Sequence, residues 1–344
     1  MRIAMITDGG AVGKDSAALA AALTQLGHDV VVHHDQDTTA WFTDRWRTTR
    51  PAVVHIRSRL AGAAAVTAAA DLAIPVVHSV RAAEDAPAGT VERDIARSAD
   101  RVIASCAAEL TELVIGKVPR NRISVVPYGV DVDHFTPDGD HPPIGRRHRL
   151  VAVGDLTPGT GFATAVAALA GLPNTELVIA GAQPHGKHAD ELRNYAAGRG
   201  VFDRLHISGP VEEDALPSLL RSAHIVLATP WRPRFGITAL EAAACGVPVI
   251  ANNTGGLTDT VVDHVTGLLV SPHRPRALAT AVRKLLTNPV RLEQYGAAAR
   301  DRATSRYSWH QIAIDTLNAY RHAGAPDAAT GLSLHPTQMV KSRS

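Results

Sequence analysis

Short, almost wholly apolar runs alternate along the chain with stretches rich in alanine and leucine. Arg2–Thr7 reads as a strand, Asp8-Gly9-Gly10-Ala11-Val12-Gly13 as a turn, and Ser16–Leu26 as a helix stopped by Gly27. A second strand is expected over Asp29–His33, and Ala52–Ile56, Pro75–Ser79, Arg101–Ala104 and Ile123–Val126 continue the series. Strands that are apolar throughout suit a parallel sheet covered by helices on both faces. The alternation of such strands with helical stretches predicts an α/β fold.

Between Thr136 and Arg147 the pattern breaks into proline, glycine and polar residues without periodicity, which reads as a linker. It restarts with Arg149–Val153, Glu176–Ala180, Arg204–Ser208, Ile225–Ala228, Pro248–Ala251 and Gly267–Val270. Helices are predicted at Arg274–Leu286, Arg291–Thr304 and Trp309–His322, and the polar stretch after Gly324 reads as a disordered tail. Two αβ domains of similar size are therefore expected, at 1–138 and 149–305, with a linker at 139–148, a terminal helix at 306–323 and a tail at 324–344.

A length of 344 residues agrees with two domains of roughly 150 residues each. With 45% hydrophobic and 20% charged residues the composition is that of a globular protein and excludes a disordered one. Basic residues number 35 and acidic 33, and no concentrated basic stripe marks a nucleic-acid binder. Cys106 and Cys245 lie far apart and form neither a metal pattern nor a disulfide framework, as expected in a reducing compartment. The opening apolar stretch is too short for an export signal, and Ala61–Val77 is interrupted by Asp71, so it reads as a buried helix leading into a strand. The expected location is the cytoplasm.

Ligands of open parallel sheets sit beyond the carboxyl ends of the strands. The turn at Gly9 and Gly10 fits such a site, because glycine lets an anionic ligand approach the backbone. It is not a dinucleotide fingerprint, since Asp8 stands where the first glycine would be. In Thr229–Ile250 a strand ends, a proline-rich loop follows, and a helix begins near Gly236 whose first turn offers free N–H groups to a phosphate. Glu241 has apolar neighbours on both sides, so it is either buried with a partner or holds a ligand hydroxyl. The segment Trp41–Arg50 interleaves aromatics with arginine; a helix packing its tryptophans on the sheet is favoured over membrane contact. His33, His34, His185 and His188 do not assemble a metal site.

At these residues the chain resembles the family 4 retaining glycosyltransferases. The resemblance runs over about residues 1–322 and rests on Leu26-Gly27-His28-Asp29-Val30, Ala99–Ser105, Ile123–Asp131, Phe235–Val249, Gly255-Gly256-Leu257 with Asp259, and Gly267–Val270. It implies a GT-B fold, two facing Rossmann-like domains with a nucleotide sugar in the cleft, and a C-terminal helix crossing back to the first, acceptor-side domain. It implies a nucleoside-diphosphate sugar donor, most often a UDP-sugar, and a small-molecule or lipid-linked acceptor. No cofactor, bound metal or nucleic acid is expected. Glu241 would hold the ribose; Phe235, Gly236, Ile237 and Thr238 would meet the diphosphate. Gly209, Pro210 and Val211 would lie near the base, with Gly9 and Gly10 approaching from the other domain.

The carry-over is partial. The first glutamate of the family's pair falls on Pro233, its diphosphate arginine and lysine fall on Asp155 and Thr160, and a sugar-facing histidine aligns near Arg81. Losing one preorganised donor to developing charge costs about 3–4 kcal/mol. Arg81, Arg232 and Arg234 are the substitute cations, assigned the catalytic role, and Lys14 follows the glycine turn. Two readings stand: a retaining transferase whose arginines rebuild the clamp, or an impaired homologue that acts as a binding or partner subunit.

Overall fold

A computed structural model describes residues 1–8, 11–34, 38–58, 61–80, 90–231 and 235–326. The expected tail, Gly9, Gly10, Arg81, Arg232, Pro233 and Arg234 thus lie outside the described residues, apart from residues 324–326 at the start of the tail.

The first half runs β1 (Arg2–Thr7), α1 (Ala11–Gln25), β2 (Asp29–His33), α2 (Thr39–Thr49), β3 (Val53–Arg57), α3 (Gly62–Asp71), β4 (Val76–Ser79), α4 (Thr90–Ser98), β5 (Arg101–Ala104), α5 (Ala107–Ile115) and β6 (Ile123–Val125). Its six strands form a parallel sheet in the order β2-β1-β3-β4-β5-β6, with Ile3 opposite Val53 and Met5 opposite His55. The second half runs β7 (His148–Val153), α6 (Phe162–Leu169), β8 (Thr175–Ala180), α7 (Lys187–Ala197), β9 (Leu205–Gly209), α8 (Leu216–Arg221), β10 (Ile225–Ala228), α9 (Ile237–Ala244), β11 (Val249–Asn252), α10 (Leu257–Thr260) and β12 (Gly267–Val270). These strands form a second parallel sheet, β12-β11-β10-β7-β8-β9. Three helices close the chain: α11 (Pro275–Leu286), α12 (Pro289–Tyr307) and α13 (Trp309–His322).

Each sheet is apolar on both faces because helices cover both. Ala4, Ile6, Val54 and Ile56 pack with Phe42 and Trp46 on one face, and Ile3, Met5 and Val53 with Leu19, Leu23 and Tyr320 on the other. α2 therefore buries Phe42 and Trp46 as the packing reading expected, while Trp41 remains 39% exposed with the Arg45 guanidinium over its ring. One local expectation fails. The helix after β1 begins at Ala11, so Val12 and Gly13 belong to it and not to a turn. A side chain at Gly13 would come within 3.3 Å of the Asp8 carbonyl, which is why glycine suits that first turn.

Strand order reverses between β1 and β3 in the first sheet and between β10 and β7 in the second, and such reversals open crevices beyond the strand carboxyl ends. The two sheets are held together by the end of the chain. Tyr307 closes α12, Ser308 caps α13 by accepting from Gln311 N (3.4 Å), and the Tyr307 carbonyl accepts the Val130 N–H at 2.8 Å. α13 then packs on α1 and contributes Ile312, Ala313, Leu317 and Tyr320 to the first core. Arg300 of α12 donates to the carbonyls of Phe135 (2.7 Å), Ala244 (2.8 Å) and Val132 (3.0 Å), fastening the segment between the sheets. The linker is pinned as well, Arg221 donating to the carbonyls of Thr136 and Asp140.

The crossing depends on close backbone approach. A Cβ on Gly129 would sit 2.5 Å from the Trp309 ring, whereas one on Gly145 would meet nothing within 4 Å. Gly129→Ala is therefore expected to destabilise the protein by about 1–3 kcal/mol through overpacking. Gly145→Ala is expected to stay within about 0.5 kcal/mol of the parent. Urea unfolding of the two variants side by side checks this; equal midpoints would show that Trp309 yields without cost.

Candidate active site

The crevice of the second sheet is built by the loops after β7 and β10. Their backbones are laced together: Trp231 N donates to Gly159 O (2.9 Å) and Thr229 Oγ1 to Thr160 O (3.2 Å). Asn252 at the end of β11 donates through Nδ2 to the carbonyls of Thr229 (2.6 Å) and Pro230 (3.0 Å). Gly161 has φ 74°, and a Cβ there would lie 2.0 Å from the Thr229 carbonyl, so this contact admits only glycine. The Trp231 ring rests on His273 with centroids 4.5 Å apart.

Within that frame Gly236, at φ 88° and ψ 55°, turns the chain into α9. The first intrahelical bond is Ala239 N to Gly236 O at 3.0 Å, so the N–H groups of Ile237 and Thr238 precede the helical ladder and face outward. Ile237 is exposed and Thr238 half-buried, which leaves this end of the helix accessible. Phe235 points the other way. Its ring is buried between Tyr128 (5.1 Å) and Tyr307 (6.1 Å), and its carbonyl accepts from Thr260 Oγ1 (3.0 Å). Gly209, at φ 84°, ends β9 with its carbonyl accepting the Gly181 N–H (2.8 Å); Pro210 beyond it is exposed and Val211 half-buried.

Glu241 stands one turn into α9, flanked by buried Leu240, Ala242 and Ala243. Burial pushes its carboxyl up to about 7, and the nearby charges of Glu213 and Asp15 push the same way. Asp15 lies on α1 of the first sheet and Glu213 in the turn after β9, so three carboxylates from both halves converge. Lys14 bridges the cleft by an ion pair with Glu213, which raises the lysine's own pKa. His134 also meets the Glu213 carbonyl, at 3.3 Å. A second cross-cleft contact is the Asp259 carboxylate, which accepts the N–H of Ala107 at the start of α5 (2.7 Å). The Asp259 carbonyl accepts in turn from Tyr307 Oη and Arg302 Nη2.

The structure thus gathers Gly236, Ile237, Thr238 and Glu241 at one end of α9, with Lys14 reaching the same cleft from α1. Asp155 is exposed on the β7 loop, and the Thr160 hydroxyl donates back to Thr157 O (2.7 Å), so neither supplies a positive charge. Asp15, Glu213 and His273 were not singled out in the sequence. The acidic run Glu212-Glu213-Asp214 directly after Val211 is the signal that marks Glu213; nothing local marks the other two. Among the described residues no group of three or more His, Cys, Asp or Glu is placed to hold a metal ion, and no helix is long and apolar enough to cross a membrane.

Two parallel-sheet Rossmann-like domains, each offering its strand carboxyl ends to a shared cleft, define the GT-B class of glycosyltransferases. The chain belongs to the glycosyl transferases group 1 family, whose model matches residues 139–302, and a glycosyltransferase family 4 model matches residues 33–134. It is 33% identical over 307 residues to a D-inositol 3-phosphate glycosyltransferase of Stackebrandtia nassauensis, covering 79% of this chain and 68% of the relative. It is 32% identical over 294 residues to a glycogen synthase of Mycobacterium tuberculosis, covering 80% and 69%. Among solved structures, a glycosyltransferase of Rickettsia africae superposes with a TM-score of 0.82 at 18% identity, over 94% of this chain and 98% of that one. Anabaena HepE in complex with UDP and glucose gives 0.75 at 18%, over 93% and 99%.

The raised carboxyl of Glu241 has a consequence for stability. Its folded pKa of about 7 exceeds the ordinary 4.5, so the folded state holds this proton more tightly than the unfolded one. The contribution is full below pH 4.5 and is lost as pH rises to 7. Glu241→Gln should match the parent near pH 4 and exceed it in stability by about 2–3 kcal/mol at pH 8. Denaturant titrations at the two pH values check this; a gap that does not change with pH would show that Glu241 ionises normally in the fold.

Proposed function

We propose that the protein is a retaining glycosyltransferase that moves a sugar from a nucleoside-diphosphate sugar, a UDP-sugar, to an acceptor hydroxyl. The observation that carries this reading is the placement of Glu241 beside the open first turn of α9, on the edge of the second sheet that faces the first. A carboxylate that is half protonated near neutral pH accepts from, or donates to, paired ribose hydroxyls. The free N–H groups of Ile237 and Thr238 and the helix dipole suit the diphosphate. Gly209, Pro210 and Val211 would take the base, and Gly9 and Gly10 would approach from the first domain.

In this reading the diphosphate leaves on the face from which the acceptor attacks, and its oxygen takes the proton of the attacking hydroxyl. Positive charge for that departure comes from α9, from Lys14 once the diphosphate displaces Glu213, and from Arg81, Arg232 and Arg234, with no metal or other cofactor. The acceptor is a small or lipid-linked molecule bound by the first domain, in the cytoplasm. Asp155 and Thr160 favour the second reading, an impaired binding subunit, because they leave the β7 loop without its cations.

Calorimetric titration with UDP, GDP and ADP separates the two. Micromolar binding of UDP, weakened about tenfold or more by Glu241→Ala, is the expected result. Absence of binding to all three at millimolar concentration would sink the transferase reading, and unchanged affinity in the variant would remove Glu241 from the ribose.

A further inference from the structure

A half-open hollow lies beyond the carboxyl ends of β3 to β6, walled by Arg57, Ser79, Ser105, Tyr128, Trp309 and Thr316 among others. Beneath it runs a chain of buried polar groups. Tyr320 of α13, wholly buried, places its hydroxyl 2.8 Å from His55 Nδ1, and His55 Nε2 lies 2.7 Å from Ser79 Oγ. Among the described residues the phenol's one hydrogen-bond partner is that ring nitrogen, so a phenol that did not donate to it would strand its proton in the core. Burial also raises the Tyr320 pKa, which keeps that proton in place. His55 Nδ1 is then an acceptor, and the ring carries its proton on Nε2. Nε2–H donates to Ser79 Oγ, and the serine proton is left to point away from the ring, toward the hollow that Ser79 lines.

The other pole of the hollow is a cation. Arg57 is 8% exposed, its Nε donates to Ser16 Oγ (2.9 Å), and it is the one charged residue of the wall among those described. Charge-assisted bonds to oxyanions are about twice as strong as neutral ones. A hydroxyl fixed as donor in a hollow that also holds a buried guanidinium selects a ligand oxygen that carries negative charge.

We propose that this hollow binds an anionic oxygen group, phosphoryl or carboxylate, of the acceptor, that Ser79 donates a hydrogen bond to it, and that Tyr320 and His55 are positioning residues that hold Ser79 as donor. Describing the ligand as an acceptor rests on the glycosyl-transfer reading; the anion site itself does not.

The test uses the full chain with inorganic phosphate and glucose as probes and UDP as competitor. Nitrogen-15 spectra of His55 should show a protonated Nε2 and a bare Nδ1. Phosphate should bind saturably at millimolar concentration, glucose should not, and UDP should leave the phosphate affinity unchanged. Ser79→Ala should weaken phosphate about tenfold or more, and Tyr320→Phe severalfold while letting the His55 proton populate both nitrogens. Neither variant should move UDP affinity by more than about twofold. A proton on Nδ1 in the parent, no saturable phosphate binding, competition by UDP, or a Ser79→Ala chain that binds phosphate as the parent does would each overturn the proposal. Should Tyr320→Phe fail to fold, Ser79→Ala at the pocket wall decides alone. Loss of UDP binding with the phosphate result intact would strike the donor reading and leave the anion site standing.

Discussion

One turn of the main chain holds this molecule in its working arrangement. At Ser308 the long helix α12 gives way to α13, and the residues on either side are tied to opposite halves of the protein. The Tyr307 carbonyl takes the Val130 N–H, its hydroxyl reaches the Asp259 carbonyl, and Trp309 lies against Gly129. Asp259 in turn caps α5 across the cleft. Parallel pairing makes every strand of a sheet deliver its carboxyl end to the same edge. Two such edges make a site only if something sets them face to face, and the turn at Ser308 does this through backbone contacts that tolerate little displacement.

The cleft so formed gathers carboxylates from both halves. Burial, with the charges of Glu213 and Asp15, raises the cost of ionising Glu241, and the structure meets the crowding of carboxylates in two ways. Glu241 holds its proton up to a pH of about 7, and Lys14 pairs with Glu213. Both devices are reversible. On the proposed reading, an incoming diphosphate would compete with Glu213 for the lysine, and the loss of that ion pair would alter the field felt by Glu241. The exposed Lys14–Glu213 pair is worth little as stabilisation, so exchanging one anion for another there costs little.

The architecture was legible because its signal is local and repeated: apolar runs of four to six residues, a linker without periodicity, then the same again. The start of α1 is not legible because Gly-Gly-Ala-Val-Gly has turn composition, while the helix, packed on β1 through Leu19 and Leu23, runs back to Ala11. Helices α4 to α8 and α10 are short and leave weak local signals, so their bounds are not legible. Glu241 was legible from its apolar flanks, and the opening of α9 from Gly236. Partners brought together by topology were not. Lys14 and Glu213 are 199 residues apart, Ala107 and Asp259 152, and His55 and Tyr320 265. Sequence spacing carries no trace of pairings that depend on which strand lies beside which.

The distribution of buried polar groups points the same way as the cleft itself. Thr7, Ser16, Arg57, Ser58, His78 and Ser79 are all buried at or near the carboxyl edge of the first sheet, where apolar side chains would stabilise a purely structural core better. Most are satisfied in linked chains: Thr7 Oγ1 to Ser16 Oγ at 2.9 Å, Arg57 Nε to the same oxygen, Tyr320 through His55 to Ser79. His78 shows the cost when a partner is missing. Its Nε2 is buried without a hydrogen bond, and burial pushes its pKa down to about 4. Buried networks of this kind fix side-chain geometry at the expense of stability. Their concentration at a single edge marks that edge as the part of the domain where orientation matters more than packing, and α13 carries the constraint there from the far end of the chain.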